Sequence, residues 1–523
     1  MLNRRDFIKA TGAGLATAAL GSNAFPQSPE KRPNILIIMA DDMGYSDIGC
    51  YGGEVQTPNL DRLAGNGLRF RQFYNAARCC PTRASLLTGL YPHQAGMGGM
   101  VSRIQNDVEG PYQGYLNDQC VTIAEALRPA GYRTYMSGKW HVGERRPCWP
   151  CDRGFEKYFG LISGASSYYE LVEEERTMAL GNEKWTPPEE GFYMTDAFTD
   201  FAVECIRDHD QKDPFFLYLA FTAPHWPLHA PKDVIEKYRG RYDGGWDKLR
   251  DERYARMCDM GITQRRYPLS PRDEDVPPWN EREDDTDWPA LMETYTAMID
   301  RMDQGIGRVL DTLEERGELE NTLILFCSDN GACHEGLENK KQHTPGTKPG
   351  ERGSFLAYRR PWANASNTPF RLFKHWVHEG GISTPLIAHW PAGLKEKGFT
   401  DAVGHVMDFM PTCLEVAGAE YPREVKGEAI TPLPGQSLLP VLRGKRSQDD
   451  RTLFWEHQGN NAIREGNWKL VSREGDARWE LYNLADDRTE LYDKSGVDPK
   501  RAQAMKERYL AWADEVGAHM DKD

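Results

Sequence analysis

A cysteine and an arginine flank a proline in the segment Cys79-Cys80-Pro81-Thr82-Arg83. Proline is favoured in the first turn of a helix, so the segment predicts a helix start. The free amide groups and the dipole of a helix N-terminus favour developing negative charge. A nucleophile at Cys79, with Arg83 close by in the sequence, would suit this position. The alternative is that Cys79 and Cys80 are small buried apolar residues, as unpaired cysteines most often are.

Side chains with hard oxygen atoms follow two predicted strands. Asp41 and Asp42 end one apolar run. Asp329 and Asn330 end another. Adjacent carboxylates repel one another unless a cation lies between them, and four oxygen-bearing side chains suit Ca²⁺ or Mg²⁺ better than a soft metal. Since Asp also caps helices, an Asp pair at a strand end is alone a weak signal for a cation site.

Basic side chains follow further predicted strands. Lys139 and His141 are two residues apart and would project to the same side of an extended strand end. His225 follows a third apolar run, and Lys374 precedes Glu379-Gly380-Gly381. The alternatives are a solvent-exposed Lys139, a buried hydrogen-bonded His141 and an ordinary surface lysine at 374. Histidine is the side chain best suited to general base catalysis near neutral pH.

The segment that begins at Cys79 resembles the C-x-P-x-R signature of type I sulfatases. In that family the first cysteine is converted to formylglycine, an aldehyde whose hydrate attacks the sulfur of a sulfate ester. The resemblance extends from Pro33 to Gly466-Asn467-Trp468-Lys469-Leu470 and is greatest to bacterial arylsulfatases. Thr82 occupies a position where Ser or Ala is also common, which leaves the modification compatible with the sequence.

The resemblance implies a role for each candidate residue. Arg83 would hold the hydrated aldehyde, Lys139 would bridge nucleophile and sulfate, and His141 would deprotonate the sulfo-intermediate. His225 and Lys374 would grip the sulfate oxygens, with His225 as the proton donor to the leaving alcohol. One Ca²⁺, with Mg²⁺ as the less favoured ion, would be held by Asp41, Asp42, Cys79 as formylglycine, Asp329 and Asn330.

The elements that must position these residues alternate between strands and helices. Continuous apolar runs predict buried strands from Asn34 to Met39 and from Phe215 to Phe221, and Trp288 to Leu319 has the periodicity of a long amphipathic helix. This alternation favours an α/β fold with a large, mostly parallel mixed sheet flanked by helices. Such sheets bind ligands beyond the carboxyl ends of their strands. The sulfatase resemblance implies the same, alkaline-phosphatase-like architecture.

The chain divides into three predicted parts. Residues 1–24 have paired arginines, a short apolar run and a small-x-small site, which together predict a cleaved twin-arginine signal peptide. Residues 30–443 form the expected catalytic domain. Residues 444–523 contain short strand-like runs and a final helical stretch, which predict a small C-terminal subdomain with an antiparallel sheet. We therefore expect export to the periplasm or secretion by the twin-arginine machinery, without a permanent membrane anchor.

The net charge and the cysteine content of the chain indicate which partners and cross-links to expect. The formal charge is -15, which disfavours nonspecific nucleic-acid binding because phosphate neutralisation needs excess Lys and Arg. The 11 cysteines are scattered and odd in number, so they do not indicate a disulfide framework. Cys148 and Cys151 have redox-motif spacing but lie in a loop-like segment, so a local structural pair or two free thiols is expected.

The sequence therefore predicts a sulfuric ester hydrolase that cleaves an aryl or carbohydrate sulfate. It would need a formylglycine-generating or equivalent maturation enzyme. Two alternatives stay open at this point. The first is a phosphate or phosphonate ester hydrolase of the same superfamily, which the C-x-P-x-R segment argues against. The second is a catalytically dead protein that binds sulfated glycans, which requires Cys79 to stay unmodified.

Overall fold

The structure is a computed structural model that describes residues 31–101, 109–172, 176–337, 341–445 and 451–518. The expected signal peptide, residues 1–24, lies outside the described residues. Pro33–Asp523 form one compact unit. The division of this unit at residues 443/444 stays a prediction.

A ten-stranded sheet forms the centre of the fold. Its strands are β1 Asn34–Ala40, β2 Leu68–Tyr74, β3 Arg133–Gly138, β4 Lys157–Leu161, β5 Met178–Leu180, β6 Glu183–Trp185, β7 Phe215–Ala220, β8 Thr322–Ser328, β9 Ser383–His389 and β10 Gly398–His405. The spatial order is β10-β2-β9-β8-β1-β7-β3-β4-β5-β6. Only β9 and β5 run against the other eight strands. The predicted large, mostly parallel mixed sheet is thereby confirmed.

Apolar side chains cover both faces of the sheet. Along β1, Leu36 and Ile38 pack into one core cluster while Ile35 and Ile37 pack into the other. This alternation explains the continuous apolar run, because a strand covered on both faces has no solvent side.

Helices flank the sheet, and the periodic apolar residues of the longest helix lie against it. The helices are α1 Pro58–Gly65, α2 Cys79–Thr88, α3 Ile123–Leu127, α4 Met194–Arg207, α5 Lys232–Glu236, α6 Gly245–Asp259, α7 Trp288–Glu315, α8 Arg359–Ser366, α9 Glu379–Ile382, α10 Phe409–Ala417, α11 Leu439–Leu442 and α12 Pro499–Val516. Short 3-10 helices are Gly49–Tyr51, Arg128–Ala130, Pro150–Arg153, Trp279–Glu281, Leu319–Asn321 and Val406–Asp408. A two-stranded ribbon is formed by β11 Glu424–Val425 and β12 Glu428–Ala429.

The C-terminal part has the predicted antiparallel sheet and helix. Its four strands are β13 Thr452–His457, β14 Asn460–Glu465, β15 Trp468–Ser472 and β16 Glu480–Asn483. Helix α12 packs against β14 and β15 through a separate apolar cluster that includes Tyr509 and Trp512. This cluster also contains Tyr74 and Val377 from the catalytic part of the chain, so the two parts share a core.

The strand register brings four carboxyl ends to one level. Ala40 at the end of β1 pairs with Ser328 at the end of β8, and Ala220 of β7 pairs with Gly138 of β3. At Gly138 the backbone φ is 114°, and a Cβ atom would lie 1.9 Å from the carbonyl oxygen of Ala220. Only glycine fits this close approach between neighbouring strands. The residues after these strands therefore emerge at the same edge of the sheet.

Candidate active site

The predicted cation ligands meet at this edge. The backbone N–H of Asp42 donates to Oδ1 of Asp329 over 3.2 Å, which joins the ends of β1 and β8. The amide of Asn330 donates to Oδ1 of Asp42 over 2.6 Å. Asp41, Asp42, Asp329 and Asn330 are all at most 1% exposed. The structure therefore places all four oxygen-bearing side chains together in a buried position.

Two cationic side chains, Arg83 and Lys139, bind carboxylates on one side of the four oxygen-bearing residues. Arg83 donates from Nη2 and Nε to Oδ2 of Asp329, over 2.7 and 3.1 Å. Lys139 donates to Oδ2 of Asp41 over 2.6 Å, and its carbonyl oxygen accepts from Nη1 of Arg83. Both cationic side chains are fully buried. Arg83 thus links α2, which begins at Cys79, to the ends of β8 and β3.

Lys374 and His225 lie on the other side of the group. Nζ of Lys374 donates to Oδ2 of Asp42 over 2.9 Å and lies 3.4 Å from Nε2 of His225. Nε2 of His225 is 3.3 Å from Oδ2 of Asp42. Nδ1 of His225 is 2.6 Å from the carbonyl oxygen of Trp226, which only accepts, so Nδ1 carries the proton. Nε2 therefore faces Lys374 and Asp42.

Cys79 begins α2, as its position before Pro81 predicts. His141 lies close by, since its ring nitrogen, Sγ of Cys79 and Sγ of Cys80 are all within 4.8 Å of one another. The backbone of His141 adopts φ 58°, a left-handed conformation that is rare outside glycine. Opposite the ring stands Gly164, where a Cβ atom would come within 2.4 Å of the imidazole. The chain thus holds His141 in one place beside residue 79.

Burial and charge shift the pKa values of these groups in different directions. Burial raises the pKa of Asp329 to about 8, and the nearby carboxylate of Asp41 adds to the shift. Burial acts likewise on Asp42, but His225 and Lys374 outweigh it and lower the pKa of Asp42. Burial lowers the pKa of His141 to about 3 and that of His225 to about 4. Both imidazoles are therefore neutral near pH 7.

The Cys79 thiol is shifted towards its thiolate form. A hydrogen bond from Cys80 is the largest influence that lowers the pKa of Cys79, and the charge of Lys139 and a hydrogen bond from His141 act in the same direction. Burial opposes them without reversing the shift. The surroundings of residue 79 are thus built to stabilise negative charge.

The structure brings every predicted site residue to this edge and adds one carboxylate that the sequence did not single out. Glu335 accepts from Nη2 of Arg78 over 2.9 Å and from the indole of Trp226 over 2.9 Å. Despite the opposing effect of burial, Lys374 and Arg78 hold the pKa of Glu335 well below its usual range. In the sequence, the feature that could have singled out Glu335 is its position six residues after Asp329, in the long segment beyond β8.

A buried ion pair from the charged segment between β7 and α7 also supports the site. Arg253 of α6 donates to Oδ1 of Asp47 over 2.7 Å. The other oxygen of Asp47 accepts from the hydroxyl of Tyr295 and the backbone N–H of Gly44. Although this segment is dense in charged residues, its Arg253 is fully buried and supports the loop that carries Asp41 and Asp42.

His225 is positioned by a second buried histidine through Tyr168. The hydroxyl of Tyr168 donates to the carbonyl oxygens of Thr222 and His225. Its backbone N–H donates to Nδ1 of His229 over 3.3 Å. Nε2 of His229 lies 2.8 Å from the carbonyl oxygen of Ser354, to which it must donate. These partners fix a neutral imidazole at position 229.

We expect this neutral His229 to make the fold sensitive to acid. Burial lowers the pKa of His229 to about 4 from the usual 6.5. The folded state binds fewer protons than the unfolded state between these values, so the stabilisation is present above pH 6.5 and is lost as the pH falls to 4. The loss is at most about 3 kcal/mol. Urea unfolding at pH 7, 5.5 and 4.5 measures it.

The variant His229→Gln isolates this contribution. Glutamine keeps a donor for Ser354 but does not titrate, so its free energy of unfolding should fall less steeply between pH 6.5 and 4.5. Parallel pH profiles for the variant and the unchanged protein would contradict the assignment.

Comparison with known proteins identifies the family. Residues 33–419 match the sulfatase family profile, and residues 370–510 match the profile described as N-sulphoglucosamine sulphohydrolase, C-terminal. The chain is 36% identical to an uncharacterised sulfatase of Schizosaccharomyces pombe, over 94% of this chain and 95% of that protein. It is 34% identical to an arylsulfatase of Klebsiella aerogenes, over 80% of this chain and 93% of that protein.

Solved structures agree with these matches. The crystal structure of Ps i-CgsB in complex with k-i-k-neocarrahexaose superimposes with a TM-score of 0.68 at 25% identity, covering 92% of this chain and 93% of that one. Residues 1–21 match the twin-arginine translocation signal, which indicates export as the sequence predicts. None of the helices within the described ranges has the length and hydrophobicity of a membrane span.

The sulfatase profile covers most of the chain, and the matched relatives are aligned over nearly their whole length. This chain belongs to the sulfatase family, whose members hydrolyse sulfate esters, including those of carbohydrates.

Proposed function

We propose that the chain is an exported, calcium-dependent hydrolase of sulfate monoesters that uses formylglycine formed from Cys79. The single observation that carries the proposal is the convergence around residue 79. One buried edge of the sheet holds residue 79 at the start of α2, four oxygen-bearing side chains, and the pairs Lys139–Asp41 and Lys374–Asp42. A formylglycine-generating or equivalent enzyme would have to oxidise Cys79.

The donor set fits a hard divalent cation. Oδ1 of Asp41 and Oδ1 of Asn330 are buried and have no hydrogen-bond partner among the described residues. Such orphaned acceptors are costly unless a ligand satisfies them. Asp41, Asp42, Asp329, Asn330 and an oxygen of formylglycine would hold one Ca²⁺. When bound, the ion would supply Lewis acidity towards a sulfate oxygen.

The first chemical step would form a bond between residue 79 and sulfur. One hydroxyl of the hydrated aldehyde gives its proton to the carboxylate of Asp329, which lies near residue 79, and attacks the sulfur atom as the bond from sulfur to the alcohol oxygen breaks. The departing oxygen takes a proton from the ammonium of Lys374, directly or through Nε2 of His225, which is free of a proton and lies 3.4 Å from that ammonium. Lys139, at the opposite side of the group, would hold a sulfate oxygen near residue 79.

The second step would release sulfate. His141 is neutral at pH 7 and accepts the proton of the remaining hydroxyl. The electron pair left on that oxygen forms the aldehyde double bond, and the bond from carbon to the sulfate oxygen breaks. Water then adds to the aldehyde and regenerates the hydrate. Arg83 would keep Asp329 and the start of α2 in place during both steps.

The relatives indicate the substrate class. One relative is an arylsulfatase, and one solved neighbour is a complex with k-i-k-neocarrahexaose. We propose a monosulfate ester of an aryl or carbohydrate alcohol as substrate. Parallel assays with 4-nitrophenyl sulfate, 4-nitrophenyl phosphate and a panel of sulfated glycans test this. Faster phosphate than sulfate release would instead indicate a phosphoester hydrolase. A chain with Cys79 unconverted and no turnover after treatment with a maturation enzyme would indicate a glycan-binding protein.

Removal of the cation should abolish sulfate release and lower the melting temperature. Without a cation, the buried Asp41 and Asp42 side chains repel one another, and Oδ1 of Asp41 and Oδ1 of Asn330 lack a partner among the described residues. Treatment with a chelator should reduce the rate at least about 100-fold, and Ca²⁺ at about 100 times its Kd should stabilise the fold by about 2.7 kcal/mol. Thermal melting measures the effect independently of turnover.

Ca²⁺ and Mg²⁺ should differ in how far they restore the activity and the melting temperature of the chelator-treated protein. Mg²⁺ demands octahedral geometry and keeps several waters, whereas Ca²⁺ accepts many protein oxygens. Full restoration by Mg²⁺ but not by Ca²⁺ would contradict the choice of ion. A melting temperature that neither ion changes would contradict the site.

A further inference from the structure

The side chains around residue 79 form a second possible set of metal ligands that the sulfatase chemistry does not use. Sγ of Cys79, Sγ of Cys80 and a ring nitrogen of His141 lie within 4.8 Å of one another, and all three residues are buried. We name these three residues the thiol cluster. Cys80 has no part in the chemistry above, and no disulfide joins it to another described cysteine.

Burial and close packing position the three residues of the thiol cluster. His141 is 5% exposed, and its Nδ1 is buried without a hydrogen-bond partner among the described residues. Its ring is confined by Gly164, as described above. Cys79 and Cys80 are fixed in the first turn of α2, at 2% and 0% exposure. The three ligand atoms therefore lie within 4.8 Å of one another in a buried and closely packed position.

The thiol cluster and the nearby oxygen-bearing side chains favour different classes of cation. Two thiolates and an imidazole suit a thiophilic ion such as Zn²⁺, whereas carboxylates suit Ca²⁺. Tetrahedral zinc with bonds of about 2.3 Å to sulfur and about 2.0 Å to nitrogen places its ligands about 3.5–3.8 Å apart. The cluster reaches this geometry with shifts of about 1 Å or less, and one coordination position stays open.

We propose that the unconverted chain binds one thiophilic cation at Cys79, Cys80 and His141, and that conversion of Cys79 abolishes this site. The inference rests on the proposed function, because it assumes that Cys79 is the residue converted. Oxidation to formylglycine replaces Sγ with oxygen, which leaves one thiolate and one imidazole. Residue 79 thus belongs to a soft-metal site before conversion and to a calcium site afterwards.

A consequence concerns incompletely converted protein. A cation bound to Sγ of Cys79 would occupy the side chain that the hard-metal site needs. Preparations of the chain should therefore contain zinc in proportion to the fraction of residue 79 that peptide mass measurement shows as cysteine. Sulfate release should follow the complementary fraction.

Co²⁺ is the probe for the experiment, because thiolate ligation gives sulfur-to-cobalt charge-transfer bands in the near ultraviolet. The full chain is prepared without a maturation enzyme and titrated with Co²⁺, and then with Zn²⁺. We expect one Co²⁺ per chain, a charge-transfer band, and displacement by Zn²⁺. The fully converted chain should show no such band.

Two sets of variants locate the site. Cys80→Ser should weaken Co²⁺ binding at least about 100-fold, since even the loss of an outer partner of a ligand costs about 10- to 100-fold. Cys148→Ser combined with Cys151→Ser removes the other closely spaced thiol pair and should leave the band unchanged. Melting curves confirm folding, and His141→Gln provides a second test if Cys80→Ser does not fold.

The outcomes separate this inference from the proposed function. A band that survives Cys80→Ser, disappears in the Cys148/Cys151 double variant, or is equally strong in the converted chain would overturn the thiol cluster as a metal site. An absence of cobalt binding by the unconverted chain would do the same. Failure of the converted chain to release sulfate would instead count against the proposed function, since that assay does not involve Co²⁺.

Discussion

Cys79→Ala should reduce the rate of sulfate release by at least about 10⁴-fold, the scale seen when an enzyme loses its nucleophile. Alanine cannot be oxidised to an aldehyde, so no hydroxyl would be available to attack sulfur. The fold should persist, because Cys79 is buried at the first turn of α2 and alanine fits a helix well. Release of sulfate from 4-nitrophenyl sulfate, with melting curves for both proteins, measures the effect.

A thiol outside the site provides the matched control. Cys148 is half-buried in the segment after His141 and makes no disulfide, so Cys148→Ser should retain the rate within about twofold. Turnover by Cys79→Ala within tenfold of the unchanged protein would show that another group attacks sulfur. Peptide mass measurement on the unchanged protein must show the aldehyde at residue 79 for the comparison to be valid.

The part of the fold that carries the site was predictable because its strands are buried on both faces. Apart from Asn34, the runs Asn34–Ala40 and Phe215–Ala220 consist of apolar and aromatic residues, and their ends differ by only one residue from the predicted ends. Strands β2 and β9 were not predicted. β2 alternates apolar residues with polar ones, among them Arg69 and Arg71. Its position in the sheet is set by pairing with β9 and β10. Such pairing is non-local and leaves little trace in a short sequence window.

The convergence of the candidate site residues could be predicted because parallel strands deliver their carboxyl ends to one edge. Asp41 and Asp329 are 288 positions apart, yet the pairing of Ala40 with Ser328 makes them neighbours. The resemblance to the sulfatase motifs then selects the candidate site residues among the polar residues at that edge. Glu335 and Arg253 escaped prediction for the opposite reason. They reach the site from long connecting segments, whose paths are set by contacts such as Arg78–Glu335 and Arg253–Asp47.

The C-terminal sheet contributes to the catalytic part through buried charges as well as through apolar packing. Glu379, in the short helix α9, accepts from Lys469 of β15, from Arg488 and from the hydroxyl of Tyr74. Helix α9 follows Lys374 by five residues, so its position affects the segment that carries this site lysine. Breaking the charge network should therefore loosen both the C-terminal sheet and the Lys374 segment.

Lys469→Met should lower the free energy of unfolding by about 3–5 kcal/mol, the usual cost of removing one partner from a buried ion pair. The ammonium of Lys469 is 0% exposed and lies 3.1 Å from Oε1 of Glu379 and 2.8 Å from Oε1 of Glu490. Methionine fills a similar volume but leaves both carboxylates without this buried cation. Urea unfolding at pH 7 measures the loss.

Two further variants show whether charge or packing is responsible. Lys469→Met combined with Glu490→Gln removes one of the uncompensated carboxylates and should recover part of the loss, which a packing defect would not do. Lys212→Met, at a lysine whose side chain is 87% exposed, should change the free energy of unfolding by no more than about 0.5 kcal/mol. If Lys469→Met were as stable as Lys212→Met, the network could not be what fastens β15 to α9, and the shared apolar cluster around Tyr74 and Val377 would have to hold the two parts together alone.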